Sequence, residues 1–529
     1  TEQITLSTTG TVTAAAAVET YVMAAGASSI TLTAAGQNVT TDATGAGLIV
    51  TVDTGTLTSL TGTFSNPAGS DDIKLVLFSG SIDISAADTD ELNVIDISEN
   101  ADAITMTRAQ NNRIGTVTDG ADATITLSDA GAATGDAEVG AYALAAGDQT
   151  FTLGAASQDV TTGTGAIVVS TGAVTDITDA AIDGDLATTL SITIAANTDI
   201  SDAVITGTEG TQDADYDIDI ATDADAITMT RAQNALIDTV TDGADATIRL
   251  SDAGAVTGDA DVGTYVLDDA GSSTITLGVL SQNVTTGFGG NDTVDFASFV
   301  ATGVVNTIAT DILLLSDGAD IKAVDAEGAG AGTAFDANNL TLDTDGAGTG
   351  LGSAVTMTAL QLNSLGTVIA GGSADSITLS SAITGAATLD AAVESVVLGD
   401  FANSVTMGAI AQAITGGTVA DTVAAITGVT STSDLGTGTN VVTVATGVDI
   451  SGGTFSATGG TVGFELVGDA TMTAAQEALI TAATNTNEVT VSNIVSGATT
   501  LNADVESVVL GDFANSVTMG AIAQAITGG

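Results

Sequence analysis

Pairs of carboxylates on glycine turns are the residues of this 529-residue chain best suited to chemistry. The tetrapeptide Asp-Gly-Ala-Asp occurs three times, at residues 119–122, 242–245 and 317–320. Two carboxylates that flank a glycine turn can chelate a hard cation such as calcium, which takes oxygen ligands. This spacing predicts metal ligands in the first two turns; the alternative is a polar turn with solvated carboxylates. The predicted ligands are Asp119, Asp122, Asp242 and Asp245.

A second kind of turn lies at residues 287–295, Gly-Phe-Gly-Gly-Asn-Asp-Thr-Val-Asp. Aligned on Asp292, it resembles the nine-residue repeat of RTX (repeats-in-toxin) proteins, although Phe288 replaces the second glycine. Residues 416–423 are a weaker match around Asp421. The resemblance implies calcium as a cofactor at Asp292, Asp295 and Asp421. Because calcium needs about six to eight oxygen ligands, backbone carbonyls would have to complete each site. The alternative is a glycine–aspartate turn without metal.

The composition excludes several classes of function. The chain has no Cys and no His, so zinc sites and nucleophilic systems built on these residues are not available. It has 65 acidic residues against six basic ones, a formal net charge of −59, which excludes nucleic acid as a partner. No apolar stretch reaches the roughly 18 residues needed to span a bilayer, so we expect no membrane insertion. Close Asp pairs recur throughout the chain and none marks an active site, so we expect no enzyme.

The sequence repeats itself on a long period. Residues 388–417 return as residues 500–529 with two differences, Asp390/Asn502 and Ala392/Asp504. A Val-x-x-Tyr landmark begins at Val18, and the same landmark follows 121 and then 123 residues further on. Fixed-period similarity is typical of stacked repeat architectures. We predict repeat units at residues 1–98, 99–220, 221–350 and 351–466, with a partial fifth unit at 467–529.

Within each unit, short runs alternate Thr with Ile, Leu, Val or Met, which is the pattern of half-buried strands. The pattern Met-Thr-x-x-Gln occurs four times, and Thr-x-x-Gln predicts a helical capping box between two strands. A ladder of glutamine ligands is the functional alternative for these residues. We predict an all-β fold, a parallel β-solenoid with short helical corners. Tandem antiparallel β-sandwich domains are the alternative.

The whole pattern resembles the repetitive regions of bacterial RTX-like adhesins and S-layer-type surface or filament proteins. That resemblance implies an acidic extracellular or cell-surface protein without disulfides. We expect a structural repeat protein, a subunit of a filament or surface layer. The expected partners are other copies of itself, in a homopolymer stacked head to tail. The alternative is the stalk of a giant cell-surface adhesin.

Overall fold

The computed structural model is built almost entirely from short parallel strands. It describes residues 2–7, 9–24, 29–41, 49–67, 72–78, 80–92, 94–98, 103–118, 123–195, 197–207, 216–221, 226–241, 246–268, 271–279, 281–287, 290–296, 301–307, 311–315, 318–326, 339–342, 354–369, 375–383, 385–484, 487–494, 499–513, 515–520 and 523–528. Two compact units are present, Thr1–Ser251 and Asp252–Gly529. The repeat boundaries predicted from the sequence stay predictions.

The first unit holds strands β1 to β25 and helices α1 (Arg108–Asn111) and α2 (Arg231–Asn234). The strands are, in chain order, Gln3–Leu6, Thr11–Thr13, Thr20–Met23, Ser29–Thr31, Asn38–Thr41, Ile49–Asp53, Phe64–Ser65, Asp72–Leu77, Ser81–Asp83, Val94–Ile97, Ala103–Met106, Ile114–Val117, Thr124–Leu127, Ala132–Thr134, Ala141–Ala143, Gln149–Thr152, Asp159–Thr161, Ala166–Ser170, Ala181–Asp183, Thr189–Ile194, Val204–Thr206, Asp217–Ile220, Ala226–Met229, Ile237–Val240 and Thr247–Leu250.

The second unit holds strands β26 to β54 and helices α3 (Ala359–Ser364) and α4 (Ala474–Glu477). The strands are, in chain order, Ala255–Thr257, Thr264–Val266, Thr274–Thr276, Asn283–Thr285, Thr293–Asp295, Val304–Asn306, Ile312–Leu315, Asp325–Ala326, Asn339–Leu342, Ala354–Met357, Val368–Ile369, Ser376–Leu379, Ala386–Thr388, Ser395–Val397, Ser404–Thr406, Ala413–Thr415, Thr422–Ala424, Thr432–Asp434, Thr439–Val444, Val448–Asp449, Thr454–Ser456, Thr461–Leu466, Ala470–Met472, Ile480–Ala483, Glu488–Val491, Thr499–Thr500, Ser507–Leu510, Val517–Thr518 and Ala525–Thr527.

Each strand stacks in register on the equivalent strand of the next turn. Ile125 of β13 lies beside Tyr142 of β15, and Tyr142 lies beside Val160 of β17, all in parallel ladders. All three side chains are buried, while their strand neighbours face outward, as a period of two requires. Like positions therefore form continuous apolar columns inside the turns, and the Thr-rich columns lie outside. Parallel strands are usually buried on both faces; here the short turns leave one face to solvent.

The parallel β-solenoid predicted from the sequence is confirmed, and the tandem sandwich alternative is wrong. Every strand pairing among the described residues is parallel, and a strand usually pairs with the strand two further along the chain. An antiparallel sandwich would instead pair neighbouring strands through hairpins. The turns differ in length, since 17 residues separate Ile125 from its partner Tyr142 and 23 separate Val169 from its partner Ile192.

The four short helices begin at the predicted capping boxes. In each one the N-cap Thr hydroxyl accepts a hydrogen bond from the backbone N–H of the Gln three residues later, and the Gln side chain accepts one from the Thr N–H. The N-cap residues are Thr107, Thr230, Thr358 and Thr473.

These helices also mark where sheets end. Strands β12, β36 and β49 follow helices α1, α3 and α4, and each is the last strand of its sheet. Strands β14, β38 and β51 then start new sheets on that side. A new sheet begins with one edge that no strand covers, and an uncovered edge exposes unpaired backbone groups. We call each helix, together with the first strand of the new sheet beside it (β14, β38 or β51), a joint.

Candidate functional site

Asp292 lies inside the solenoid, where backbone N–H groups surround its carboxylate. It is 1% exposed. Its Oδ1 accepts a hydrogen bond from the N–H of Ser273 at 2.8 Å, and its Oδ2 accepts one from the N–H of Gly287 at 2.8 Å. Burial raises the pKa of Asp292, and these two hydrogen bonds lower it in part. Each carboxylate oxygen of Asp292 thus already accepts one hydrogen bond from the backbone, and calcium binding at Asp292 stays a prediction.

Asp295 does not join Asp292. Asp292 immediately precedes strand β30 (Thr293–Asp295) and is buried, whereas Asp295 ends that strand and is not buried. Asp295 is partly exposed, and its Oδ2 accepts a hydrogen bond from the Thr276 hydroxyl at 3.2 Å. The buried neighbour of Asp292 is instead Asp311 of the next turn, whose Oδ1 accepts from the N–H of Asp292 at 3.0 Å. The sequence motif therefore marks a turn, and the structure does not gather its two carboxylates into one site.

Asp421 occupies the same kind of inward corner. It is 1% exposed, and its Oδ1 accepts from the N–H of Asn403 at 3.0 Å. Its Oδ2 is buried and has no hydrogen-bond partner. Burial raises the pKa of Asp421, and the hydrogen bonds from Asn403 lower it in part. Of the predicted ligands that the structure describes, Asp421 alone combines burial with an oxygen free of hydrogen bonds.

Asparagines occupy the position equivalent to Asp421 in the neighbouring turns. The Oδ1 of Asn403 accepts from the N–H of Ile383, and the Oδ1 of Asn440 accepts from the N–H of Asp421, both at 2.8 Å. Each side-chain oxygen therefore satisfies a backbone donor of the preceding turn. The amide groups also donate, Asn403 to the carbonyls of Leu398 and Phe401 and Asn440 to that of Gly438. A carboxylate at this position forms the first contact and cannot form the second.

The remaining predicted ligands, Asp119, Asp122, Asp242 and Asp245, lie outside the described residues. In the part of the chain that is described, no group of three or more acidic side chains is placed to hold a metal ion. Calcium binding remains a prediction.

Buried glutamines, which the sequence presents as landmarks of the repeat, clamp successive turns together. The Oε1 of Gln158 accepts from the N–H of Gly154, and its Nε2 donates to the carbonyls of Asp136 and Val139 in the preceding turn at 2.9 and 2.8 Å. The same three-way contact recurs at Gln37, Gln282, Gln412 and Gln524.

The glutamines of the capping boxes have the same role. The Nε2 of Gln361 donates to the carbonyl of Ile321 at 2.8 Å, and that of Gln476 donates to the carbonyls of Ile450 and Gly453 at 3.0 Å. Each of these side chains is buried. Their bonding capacity is used inside the protein, which excludes the ladder of glutamine ligands as their main role.

Helix α1 covers the free edge of strand β14 (Ala132–Thr134), against which it packs. The Nη1 of Arg108 donates to the carbonyl of Ala132 at 3.2 Å, and the Nδ2 of Asn111 donates to that of Thr134 at 2.8 Å. Asp129 holds the guanidinium through its Nε at 3.1 Å. Side chains of the helix thus replace the missing strand at this joint.

The corresponding joint at helix α3 is open. Its edge strand β38 has the same sequence as β14, Ala-Ala-Thr, but α3 carries Ala359 and Leu362 where α1 carries Arg108 and Asn111. A groove of about 570 Å³ lies between α3 and β38, with Leu362, Thr388 and Asp390 in its walls. The joint at α4 has no arginine either, but there Glu477 accepts from the N–H of Asn502 at 2.7 Å, and the Asn502 amide donates to the carbonyl of Ile480.

Fold and site together define a parallel β-solenoid repeat protein whose turns are joined by buried polar side chains. Comparison with protein-family models, with curated proteins and with solved structures finds no match. Among the described residues, no helix combines the length and the apolar character that crossing a membrane requires.

Proposed function

We propose that this chain is a structural protein, an acidic repeat subunit of an extracellular filament or surface layer. The observation that carries the proposal is that the buried polar side chains form hydrogen bonds within the protein. Glutamine, asparagine and aspartate side chains of the core are hydrogen-bonded to the backbone of adjacent turns, as at Gln158, Asn403 and Asp292. Such contacts stiffen a stack of turns and offer little to a substrate.

Self-association is the proposed mode of assembly. Strand β1 pairs with β3 and strand β54 with β52, and both outer strands carry a partly exposed isoleucine, Ile4 at 41% and Ile526 at 38%. Strands β1 and β54 are the outer strands of their sheets among the described strands, and a second copy can continue such an edge by parallel pairing. A large net negative charge opposes random aggregation, so specific end contacts are favoured over lateral collapse.

Sedimentation velocity over a range of protein concentrations tests the proposal. We expect species larger than the monomer to grow with concentration, and a variant that lacks residues 1–6 to remain monomeric. A monomer at all concentrations would contradict self-assembly and favour the second candidate, a stalk within one giant adhesin chain. That candidate is favoured by the same stiff stack, which could hold a distant binding domain away from a cell.

Calcium is the proposed cofactor, and thermal unfolding with and without a chelator tests it. A fall in the melting temperature on chelation would support bound calcium in the aspartate turns. An unchanged melting curve would leave these turns as hydrogen-bonded corners. A variant Asp421→Asn should lose any calcium response that arises from the residue 416–423 turn.

A further inference from the structure

The open joint at α3 differs from the closed joint at α1 in the residues that satisfy the strand edge. In the ladder between β38 and β40, the N–H of Leu389 donates to the carbonyl of Thr406, and Ala387 lies beside Val405. Parallel strands direct alternate residues to opposite neighbours. The carbonyls of Ala386 and Thr388 therefore point away from β40 and toward the groove, as those of Ala132 and Thr134 point toward α1.

No described group donates a hydrogen bond to these two carbonyls. At the α1 joint the donors come from Arg108 and Asn111, whereas Ala359 and Leu362 of α3 have no donor in their side chains. Asp129, which pairs with Arg108 at the α1 joint, is also replaced: the equivalent residue at the α3 joint is Ser381. The hydroxyl of Ser381 accepts from the N–H of Ala359 at 3.0 Å, as Asp129 accepts from that of Arg108 at 2.7 Å.

The charge of the groove indicates which kind of hydrogen-bond donor would fit it. Asp390 lies in its wall and is partly exposed. The chain has no Lys or Arg from residue 323 to residue 529. In the near-identical block at residues 500–529, asparagine replaces this aspartate, and there Asn502 itself fills the joint through its contact with Ile480. The closed α1 joint also has an aspartate at this position, Asp136, two residues after β14. The open joint therefore differs from it in the absent donors of Arg108 and Asn111, while both joints keep the carboxylate.

We propose that the groove between α3 and β38 binds an arginine side chain presented by an extended segment of a partner protein. The guanidinium would donate to the carbonyls of Ala386 and Thr388 and pair with Asp390, in the place that Arg108 fills within its own chain at the first joint. A guanidinium suits this role because its several N–H groups lie in one plane and match adjacent acceptors. An extended segment can lie along the exposed strand edge.

Binding of a fluorescent hexapeptide, Ala-Ala-Arg-Ala-Asn-Ala, tests the proposal by anisotropy. The control peptide carries citrulline, which has nearly the shape of arginine without its charge. We expect saturable binding of the arginine peptide, at least about tenfold weaker binding of the citrulline peptide, and several-fold weaker binding to Asp390→Asn. Equal binding of the two peptides, or no binding of either, would overturn the proposal.

Grafting the closed joint into the open one gives the matched variant. Ala359→Arg, Leu362→Asn and Ser381→Asp together should fill the groove and weaken peptide binding at least about tenfold. The reciprocal variant, Arg108→Ala with Asn111→Leu, should open the first joint and raise the number of peptides bound per chain. Unchanged binding to the grafted variant would show that the peptide associates with the acidic surface in general. If the grafted variant failed to fold, the reciprocal variant would decide the matter, because an unchanged stoichiometry would contradict the proposal.

Discussion

Asp292 and Asp421 occupy equivalent inward corners, but their carboxylates have different surroundings. Both oxygens of Asp292 accept from backbone N–H groups, while Oδ2 of Asp421 has no partner. A buried polar atom without a partner costs free energy that an alternative side chain can recover. We therefore expect Asp→Asn substitutions at the two positions to change stability in opposite directions.

Asp421→Asn should stabilise its turn. The new amide would replace the unpartnered oxygen and donate to carbonyls of its own loop, as Asn403 and Asn440 do in adjacent turns. We expect the free energy of local opening at neutral pH to rise by about 1 kcal/mol, measured by hydrogen exchange of the neighbouring amides. A fall in protection would contradict this assignment and would favour a bound cation at Asp421.

Asp292→Asn is the matched control and should destabilise its turn. Its amide would point N–H groups at the N–H of Ser273 or Gly287, which leaves a buried donor without an acceptor. We expect local opening to become easier by about 2 kcal/mol in the same exchange measurement. Unchanged protection would mean that these hydrogen bonds contribute little.

The pH dependence of stability follows from the raised pKa of Asp421. Because its folded pKa lies above the unfolded value of about 3.9, the protonated form is favoured in the folded state. Its contribution to stability is therefore greatest below the unfolded pKa, falls as the pH rises toward the folded pKa, and is constant above it. Asp421→Asn should flatten this part of the profile, and a profile identical to that of the wild type would contradict the assignment.

Gln158 tests the clamps between turns. Gln158→Ala removes one acceptor and two donor contacts, so we expect local opening near Val139 to become easier by about 3 kcal/mol. Thr150→Ala on the exposed face is the control and should change protection by less than about 1 kcal/mol. Similar effects of both substitutions would show that the clamp adds little beyond strand packing.

At this scale the sequence predicted residue types better than roles. The spacing of Asp292 and Asp421 in glycine turns indicated special corners, but a motif alone does not show whether a carboxylate faces N–H groups or a cation. The repeated Gln-x-Val-Thr-Thr segments were visible as landmarks. Their clamping role was not predicted, because the carbonyls that bind each of these glutamines lie 19 to 23 residues earlier in the chain.

Among the elements, the short helices were predictable because their start depends on local chemistry. The N-cap Thr and the Gln at the third helical position are neighbours in sequence, so Thr-x-x-Gln placed all four helices correctly. The covering of sheet edges was not predictable. It depends on which strand follows the helix in space, as with Arg108 and Ala132, which lie 24 residues apart.

Thr230→Ala tests the caps. Loss of the hydroxyl that accepts from the N–H of Gln233 should make local opening of α2 easier by about 1 kcal/mol, measured by hydrogen exchange of the helix amides. Thr230→Ser keeps the hydroxyl and should retain most of the protection. If the alanine and serine variants behaved alike, the cap would owe its stability to the glutamine clamp alone.

For the whole molecule, the composition and the alternating runs were sufficient to predict the solenoid. Small β-branched side chains with few aromatics fit thin stacked turns, and the structure pairs them in parallel register throughout its described strands. The varying turn length did not prevent the parallel register, because the extra residues of the longer turns lie in loops between the strands. What a solenoid does cannot be predicted from its fold, since function depends on sites carried on the scaffold.

The net charge of −59 predicts a stability that depends on salt. The 65 carboxylates of the chain repel one another, and salt screens that repulsion beyond a Debye length of about 10 Å at 0.1 M. We expect the melting temperature to rise by a few degrees as sodium chloride increases from low concentration to about 0.5 M. A melting temperature independent of salt would show that the carboxylates are too far apart to matter.

Electron microscopy of the native material tests the structural role most directly. A subunit that assembles by continuing its own stack predicts uniform filaments or a regular lattice with a repeat set by one chain. Isolated fibres that end in a distinct tip would contradict this role and identify the chain as part of a stalk.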